Sequence, residues 1–342
     1  MNRSVKIICL TVVLLQFIIP VKAQDLHFSQ FFNSPLTENP ANTGFIPDAD
    51  YRLGGIIREQ WASILSAPYK TVSIYGDAQV LRNKLENGWL GLGGAILSDV
   101  AGSGSLRSTE VYGSLAYHQM LASSSLLTAG FNLGWANKSI NVSKLTFPDQ
   151  FNGTFFDGQL PTSAVLNASS VSYFDMQVGM NYAYFPDEKT YIHFGYSIAH
   201  VNRPMETFFT ANSDSSRIPM RHIFFADALL KVSNDIIINP NAYFTVQAKA
   251  TEAMLGMTAN FKLTEGGEKQ LILGLYDRIG DAIVPMAGFE INNIRFTFSY
   301  DVTTSALNNF NNSLGASEFN VMKKGNYSDY NGDKRQSLCP EF

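Results

Sequence analysis

Histidine is the side chain best suited to acid–base chemistry near neutral pH, and the chain has five of them. They are His27, His118, His193, His200 and His222. No H-x-x-x-H, C-x-x-C or H-E-x-x-H motif occurs, so the spacing offers no local zinc site. Serine is abundant, but no G-x-S-x-G motif marks a nucleophile. We therefore expect no catalytic residue, no metal ion and no cofactor, and a protein that is not an enzyme.

The elements that would position these side chains are strands, because two stretches of the chain alternate strongly. From Leu127 to Trp135, and again from Phe174 to Tyr184, every second residue is apolar, while the residues between are mostly small or polar. Side chains of a strand point alternately to its two faces, so each stretch predicts a strand with one apolar face. A strand of about ten residues with an aromatic-rich face and an opposite face of small and polar residues is typical of strands that span an outer membrane.

The same alternation, with Gly, Asn, Asp and Pro as boundaries, predicts fourteen strands along the chain. They cover residues 51-58, 70-80, 88-97, 108-121, 124-136, 171-184, 189-200, 219-231, 235-247, 250-262, 270-278, 281-290, 293-302 and 317-323. An even count returns both ends of a barrel to the periplasmic side. The sequence therefore predicts an all-β protein, an antiparallel β-barrel of about 14 strands in a bacterial outer membrane.

Connection lengths provide a second argument for this topology. Outer-membrane barrels have short periplasmic turns and longer external loops. The long connections all follow odd-numbered strands, at residues 59-69, 99-107, 137-170, 201-218 and 303-316. We expect these connections on the external side, although two other external connections, near 248-249 and 279-280, are short.

The composition argues against nucleic-acid binding and against transmembrane helices. Charged residues make up 16% of the chain, where soluble domains have roughly 25%. The net charge is -4 and the sequence has no basic clusters, so no basic surface for nucleic acid is expected. After the first residues, no apolar run approaches the length of about 18 residues that a transmembrane helix needs.

The chain divides into four predicted parts. These are a signal peptide (1-23), an N-terminal periplasmic segment or plug (24-50), the transmembrane barrel (51-323) and a periplasmic tail (324-342). Arg3 and Lys6 precede an apolar run, and small residues before Gln24 give a cleavage site, which is the pattern of a secretory signal peptide. Cys339 is the one cysteine beyond the signal peptide, so an internal disulfide is not expected.

The lumen of a fourteen-stranded barrel is wider than side chains of the wall alone can fill. Water, a ligand, residues 24-50 or a segment of another protein are the alternatives. The polar side chains predicted to face it are His118, Asp175, Gln177, His193, Arg295 and Asp301. Arg295 and Asp301 share the inward face of one strand, where an ion pair or a hydrogen-bond network would suit them. On this face assignment, Phe298→Arg should impair barrel insertion more than Thr297→Arg.

The loop 137-170 is unusually aromatic for an exposed connection. Its candidate residues are Phe147, Pro148, Phe151, Phe155 and Phe156. Two alternatives remain open: the loop folds inward and plugs the pore, or it presents a surface that binds a partner.

A series of motifs begins at residue 25 and continues almost to the end of the chain. They are Asp25-Leu26-His27-Phe28-Ser29-Gln30-Phe31-Phe32-Asn33, Asn39-Pro40-Ala41 with Gly44, Arg58-Glu59-Gln60-Trp61, Gly91-Leu92-Gly93-Gly94 with Asp99 and Gly102, Ser299-Tyr300-Asp301-Val302-Thr303-Thr304-Ser305, and Gly315-Ala316-Ser317-Glu318. In this order and spacing they resemble the PorP/SprF family.

The resemblance implies a Bacteroidota outer-membrane barrel that serves type IX secretion or gliding motility. The partners that it implies are a secreted adhesin with a type IX C-terminal domain and other type IX secretion components, in contact with outer-membrane lipid. An alternative is a transporter of a hydrophobic ligand that resembles the long-chain fatty-acid channels, with residues 24-50 as a hatch. A third alternative, a soluble all-β adhesin or lectin, predicts extraction without detergent.

Overall fold

The computed structural model describes residues 26–327, except 83, 86, 103, 164–167, 209–215 and 265. The predicted signal peptide, Cys339 and most of the predicted C-terminal tail therefore lie outside the described residues. Within the described part of the chain, no helix is long and apolar enough to cross a membrane.

Fourteen antiparallel strands form the wall of a closed barrel. They are β1 (Tyr51–Gln60), β2 (Tyr69–Val80), β3 (Gly88–Ala101), β4 (Leu106–Ala122), β5 (Ser125–Ser139), β6 (Ser170–Asp187), β7 (Thr190–Ala199), β8 (Arg221–Lys231), β9 (Ile236–Gln247), β10 (Ala250–Lys262), β11 (Lys269–Arg278), β12 (Ala282–Ile291), β13 (Ile294–Thr303) and β14 (Leu314–Gly325). Each strand pairs with its neighbours in sequence, and β1 pairs with β14. Closure leaves no sheet edge in hydrocarbon, where an unpaired backbone group would cost several kcal/mol.

The predicted fold is thus confirmed, and the strand ends differ by only a few residues. The largest difference is at β3, which continues to Ala101 instead of ending at 97. Its polar end still pairs with β4, with Ser98 opposite Thr109 and Asp99 opposite Ser108. Backbone pairing extends past the apolar stretch that the alternation detects.

The two faces of the wall differ in what they contact. Phe174, Met180 and Phe298 are 67%, 53% and 50% exposed, because they point outward to lipid. Their sequence neighbours Asn181 and Thr297 are only 3% and 2% exposed. The period-two alternation therefore separates a lipid face from a buried inner face.

The short and long connections lie at opposite ends of the barrel. Short turns join β4 to β5, β6 to β7 and β12 to β13, and the longest connection, 140–169, joins β5 to β6. Two short turns, after β9 and after β11, lie on the long-loop side, as expected from the sequence. Since short turns mark the periplasmic end of such barrels, the long loops mark the external end.

Residues 26–50, called the inner segment below, lie inside the barrel. The carbonyl of Leu26 accepts a hydrogen bond from Arg221 near the external end, at 2.9 Å. At the periplasmic end the backbone N–H of Asp50 donates to Gly325, at 2.9 Å. The inner segment therefore crosses the lumen along its length.

Short helical turns shape the inner segment. Pro35 begins α1 (Pro35–Glu38), and Pro40 begins a 3-10 turn (Pro40–Asn42), positions where the missing N–H of proline costs nothing. The Asn39 side chain caps the second turn by accepting from the Ala41 N–H, at 2.9 Å. A second short helix, α2 (Asn308–Asn311), lies in the external loop before β14.

Candidate functional site

Four charged groups of the barrel interior gather where the inner segment begins. Arg58 donates through Nη2 to Asp301 Oδ2 at 2.9 Å and through Nη1 to Glu318 Oε1 at 2.5 Å. Arg278 donates through Nη2 to the same Asp301 oxygen at 3.1 Å. We call Arg58, Arg278, Asp301 and Glu318 the ion-pair cluster; each is at most 4% exposed.

The ion-pair cluster holds the inner segment through Ser29 and Gln30. The backbone N–H of Ser29 donates to Glu318 Oε1 at 2.6 Å, and that of Gln30 donates to Glu318 Oε2 at 2.8 Å. The Ser29 hydroxyl donates to Asp301 Oδ1 at 2.7 Å. Hydrogen bonds to ionised groups are about twice as strong as neutral ones. The carboxylates of β13 and β14 therefore fix the start of the inner segment to the wall.

Asp301 and Arg295 lie at different depths of β13 and do not pair with each other. Asp301 belongs to the ion-pair cluster, whereas Arg295 Nε donates to Glu290 Oε2 on the adjacent β12, at 2.7 Å. Each of the two side chains therefore has its own partner inside the barrel.

His118 is completely buried and uses both ring nitrogens. Nδ1 lies 2.9 Å from Thr128 Oγ1, and Nε2 lies 2.8 Å from the Thr43 carbonyl oxygen. The ring stacks on Trp89, with centroids 4.7 Å apart and an angle of 11° between the planes. Trp89 in turn donates to the Gly44 carbonyl at 3.0 Å. This histidine attaches the inner segment to β3, β4 and β5.

His193 and Asp175 each belong to a carboxylate–histidine pair on the inner face. His193 Nδ1 lies 2.9 Å from Asp227 Oδ2, and the His193 ring lies 4.8 Å from that of Phe45 in the inner segment. Asp175 Oδ2 lies 2.9 Å from His200 Nδ1, close to the external end. The two pairs lie near opposite ends of the barrel.

Gln177 bonds the wall to α1. Its Nε2 lies 3.3 Å from the Thr37 carbonyl and 3.2 Å from the Glu38 carbonyl, and its Oε1 accepts from Asn132 at 2.9 Å. The carbonyls at the end of a helix have no partner within the helix, so buried ones need such side-chain donors.

Two wall glycines allow the inner segment to approach the sheet closely. A Cβ added at Gly91 would lie 1.9 Å from the Thr43 carbonyl oxygen, and one at Gly130 would lie 2.4 Å from the Ala41 nitrogen. Glycine inside a strand often marks a site where another backbone comes close. Gly91 and Gly130 make such room for the inner segment.

Sequence reasoning missed Arg58, Arg278 and Glu318 as interior groups, although their positions carried a signal. Arg58 and Glu318 fall within the motifs quoted above, and each lies at an inward position of its strand. Arg58 and Glu318 are directly opposite each other in the β1–β14 pairing. A charge at an inward position requires an opposite charge nearby. Only the pairing of β1 with β14, which closes the barrel, identifies the residue that carries it.

The candidate residues of the β5–β6 loop lie at the external surface. Phe151, Phe155 and Phe156 are 49%, 60% and 54% exposed, and the rings of Phe151 and Phe156 are 5.2 Å apart. Phe147 is half-buried and Pro148 is exposed. Of the two alternatives for this loop, the exposure of the three phenylalanines fits a surface for a partner.

Asp149 organises the base of the same loop. Its Oδ2 accepts from the Ser163 N–H at 2.6 Å, and its Oδ1 accepts from the Thr162 hydroxyl at 2.9 Å. These bonds, the one from the Ser163 backbone foremost, lower the pKa of the Asp149 carboxyl below its ordinary value. The loop is therefore braced by its own side chains.

Cavities remain at both ends of the inner segment. At the external end, a mouth of about 400 Å³ and a recess of about 80 Å³ share Leu26, Glu110, Asp175 and His200 in their linings. At the periplasmic end, a cavity of about 250 Å³ has Glu38 in its lining. Residues of the inner segment contribute to the lining of the cavities at both ends.

The described residues include no group of three or more His, Asp, Glu or Cys side chains arranged to hold a metal ion. Each of the buried histidines His118 and His193 has a side-chain partner in the wall.

Comparison with known proteins gives one family and one fold. Residues 21–322 match the model of a family described as type IX secretion system membrane protein PorP/SprF. No curated protein matches the chain.

Among solved structures, the monoaromatic hydrocarbon channel CymD aligns with a TM-score of 0.50 and 9% identity, over 87% of this chain and 94% of that one. The toluene transporter TodX of P. putida aligns with a TM-score of 0.49 and 12% identity, over 86% and 94% of the two chains. At such identities the likeness concerns the fold, that of outer-membrane β-barrels.

Proposed function

The chain belongs to the family of type IX secretion system membrane proteins PorP/SprF and is located in the bacterial outer membrane, and from this we propose that it supports the export of a large adhesin. In this proposal it binds the adhesin's C-terminal domain, together with other secretion components, so that the adhesin is secreted or anchored at the cell surface. The adhesin would serve gliding motility. Residues 1–23 would act as a signal peptide, and the barrel would catalyse no reaction.

The observation that carries the proposal is the occupied lumen. The inner segment is fixed at Ser29 by the ion-pair cluster and at Thr43 by His118, near the two ends of the barrel. A conduit needs an open path, whereas a docking partner needs a rigid wall. The filled barrel therefore favours a scaffold that binds polypeptides over a channel that passes them.

The exposed aromatic side chains of the β5–β6 loop are the candidate contact for a polypeptide at the external end. Phe151, Phe155 and Phe156 are all exposed, with the rings of Phe151 and Phe156 in contact, and exposed aromatic side chains of this kind commonly act as binding anchors. Because the loop is braced by Asp149, its aromatics lose little conformational freedom when a partner binds.

The buried histidines support a role without catalysis. His118 bonds to Thr128 and to the Thr43 carbonyl, and His193 bonds to Asp227. A general base needs a nitrogen within reach of a substrate proton, and the inner segment occupies that space beside His118.

A deletion strain tests the proposal. Without this chain, the adhesin should be absent from the cell surface when intact cells are labelled with antibody or treated with protease. Wild-type complementation should restore it, and the Phe151→Ser/Phe155→Ser/Phe156→Ser variant should restore it poorly. Normal display of every adhesin substrate in the deletion strain would contradict the proposal.

Phe310→Ser is the matched control for this variant. Phe310 lies in the external loop before β14 and is 79% exposed, so it shares residue type, side of the membrane and exposure with the three loop residues. It should restore full display. The shift in gel mobility of the unheated barrel confirms that each variant folds.

The alternative of a transporter for a hydrophobic ligand makes a distinct prediction. Such a protein would bind an apolar ligand in its lumen, where the inner segment now lies. Ligand retained through purification from native membranes, without a co-purifying surface protein, would favour the transporter.

A further inference from the structure

The external recess described above is a well-defined cavity that the proposed function does not use. Its volume is about 80 Å³, it opens into the external mouth of about 400 Å³, and the inner segment contributes Leu26 and Thr37 to its lining. It therefore lies beside the external mouth and against the inner segment.

Three polar atoms in the lining of this recess have no hydrogen-bond partner within the described part of the chain. They are Asn132 Oδ1, Asp175 Oδ1 and the hydroxyl oxygen of Tyr112. Asn132 is only 4% exposed, and its amide orientation is fixed because Nδ2 donates to the Leu36 carbonyl at 3.0 Å and to Gln177 Oε1 at 2.9 Å. A buried acceptor without a donor costs free energy, so these atoms call for a donor from elsewhere.

The charges around the recess favour a cationic donor. Glu110 and Asp175 contribute carboxylates, and Arg221 contributes a guanidinium. Each nitrogen of that guanidinium already donates, to Thr245 Oγ1, to the Leu26 carbonyl and to the Tyr243 hydroxyl, at 2.9 to 3.0 Å. With two carboxylates and one guanidinium, the lining therefore has a small excess of negative charge, and a ligand would meet this charge beside the unpaired acceptors.

Part of the lining is apolar. Leu97, Ala136 and Ile223 are each at most 4% exposed, and all three line the recess. A bare metal ion would gain nothing from these side chains, whereas a chain of methylene groups would pack against them.

We propose that this recess binds a primary ammonium group carried on an unbranched aliphatic stem. An ammonium has three donors and no acceptor, which suits the unpaired oxygens of Asn132, Asp175 and Tyr112. Its source is either a lysine side chain of a polypeptide or a free diamine. The site does not depend on the adhesin proposed above, because it is built from the wall and the inner segment alone.

Calorimetric titration of the full-length protein in detergent micelles tests the site. The probes are an acetylated and amidated Gly-Lys-Gly peptide, the same peptide with norleucine in place of lysine, and 1,5-diaminopentane. The lysine peptide should bind, and the norleucine peptide should not. Binding of the diamine as well would show that the ammonium group alone is recognised, and its failure to bind would assign the site to lysine in a polypeptide.

Two conservative variants locate the binding. Asp175→Asn should weaken the affinity by about tenfold or more, since it removes a charged acceptor. Tyr112→Phe removes a single hydroxyl and should weaken the affinity several-fold while preserving the fold. Asp187→Asn is the matched control, because it removes one negative charge at the periplasmic turn between β6 and β7.

The outcomes that overturn the proposal are equally definite. Equal binding of the lysine and norleucine peptides, wild-type affinity in both Asp175→Asn and Tyr112→Phe, or no binding of either ammonium probe would each refute it. An adhesin-display defect with intact ammonium binding, or the reverse, would separate this site from the proposed function.

Discussion

Glu318, on the last strand, accepts the backbone N–H of Ser29, near the start of the described chain, at 2.6 Å. The same carboxylate pairs with Arg58 on the first strand. One side chain therefore joins the two strands that close the barrel to the segment that fills it. The closure of the barrel and the position of the inner segment therefore depend on the same carboxylate.

Removal of the Glu318 carboxylate should strongly destabilise the protein. Glu318→Ala leaves the Arg58 guanidinium in a buried site without one of its two carboxylate partners, and breaking a buried ion pair in this way costs about 3–5 kcal/mol. The midpoint and slope of urea unfolding in detergent measure the loss. Glu59→Ala is the control, because Glu59 pairs with Lys70 at an exposed site, where the loss should be at most about 1 kcal/mol. Similar losses in the two variants would show that the buried cluster holds nothing in place.

A single methyl group at Gly130 should displace the inner segment. Gly130→Ala places a Cβ about 2.4 Å from backbone atoms of Pro40 and Ala41, so the segment must move, at a cost of about 1–3 kcal/mol. Gly113→Ala is the control, since a Cβ there meets no atom within 4 Å, and its effect should be within about 0.5 kcal/mol. Thermal unfolding together with limited proteolysis of the N-terminal region reports both effects. If both substitutions were tolerated equally, the inner segment would not lie against Gly130.

A charge on the lipid face should impair insertion. Phe298→Arg puts a guanidinium against hydrocarbon at mid-depth, with a cost of about 2–4 kcal/mol. The structure changes the inward control, because Thr297 is packed against Gln30 through a 2.6 Å hydrogen bond and has no room for arginine. Asn260 lines the periplasmic cavity and is the better position, so Asn260→Arg should insert normally. Folding yield into lipid vesicles compares the two, and a normal yield for Phe298→Arg would reverse the assignment of faces.

Glu38 should make stability fall as pH rises. Burial, reinforced by the nearby charge of Asp227, raises the pKa of the Glu38 carboxyl well above its ordinary value. The folded state therefore keeps a proton that the unfolded chain releases above about pH 4–5, so stability declines from there upward. Glu38→Gln removes this dependence. Unfolding midpoints measured from acidic to alkaline pH should show the variant more stable than the wild type at alkaline pH and nearly equal at acidic pH.

The opposite pattern, in which Glu38→Gln loses stability at alkaline pH, would mean that the ionised carboxylate has a partner in the folded protein. The structure gives no hydrogen-bond partner to Glu38 Oε1 among the described residues.

The strands and their two faces could be predicted from sequence because the lipid and the lumen select different side chains at alternate positions. Phe174 and Asn181 show the two faces on a single strand, β6. The predicted inward position of His118 and Asp301 follows from the same alternation, and the structure places both side chains inside the barrel.

Other features have no local signal in the sequence. His118 and Glu318 each have a partner in the inner segment, 75 and 289 positions away along the chain. The path of that segment also depends on the space left at Gly91 and Gly130 in the wall. Rich in Asn and Pro, residues 24–50 were equally compatible with a periplasmic segment and with a plug.

The electrical conductance of planar bilayers containing the purified protein tests the central claim most directly. With the inner segment fixed between the external and periplasmic cavities, the wild type should show no stable ion conductance, whereas a variant lacking residues 26–45 should conduct. A steady conductance of the wild type, equal to that of the deletion variant, would show that the lumen is open and would contradict the account.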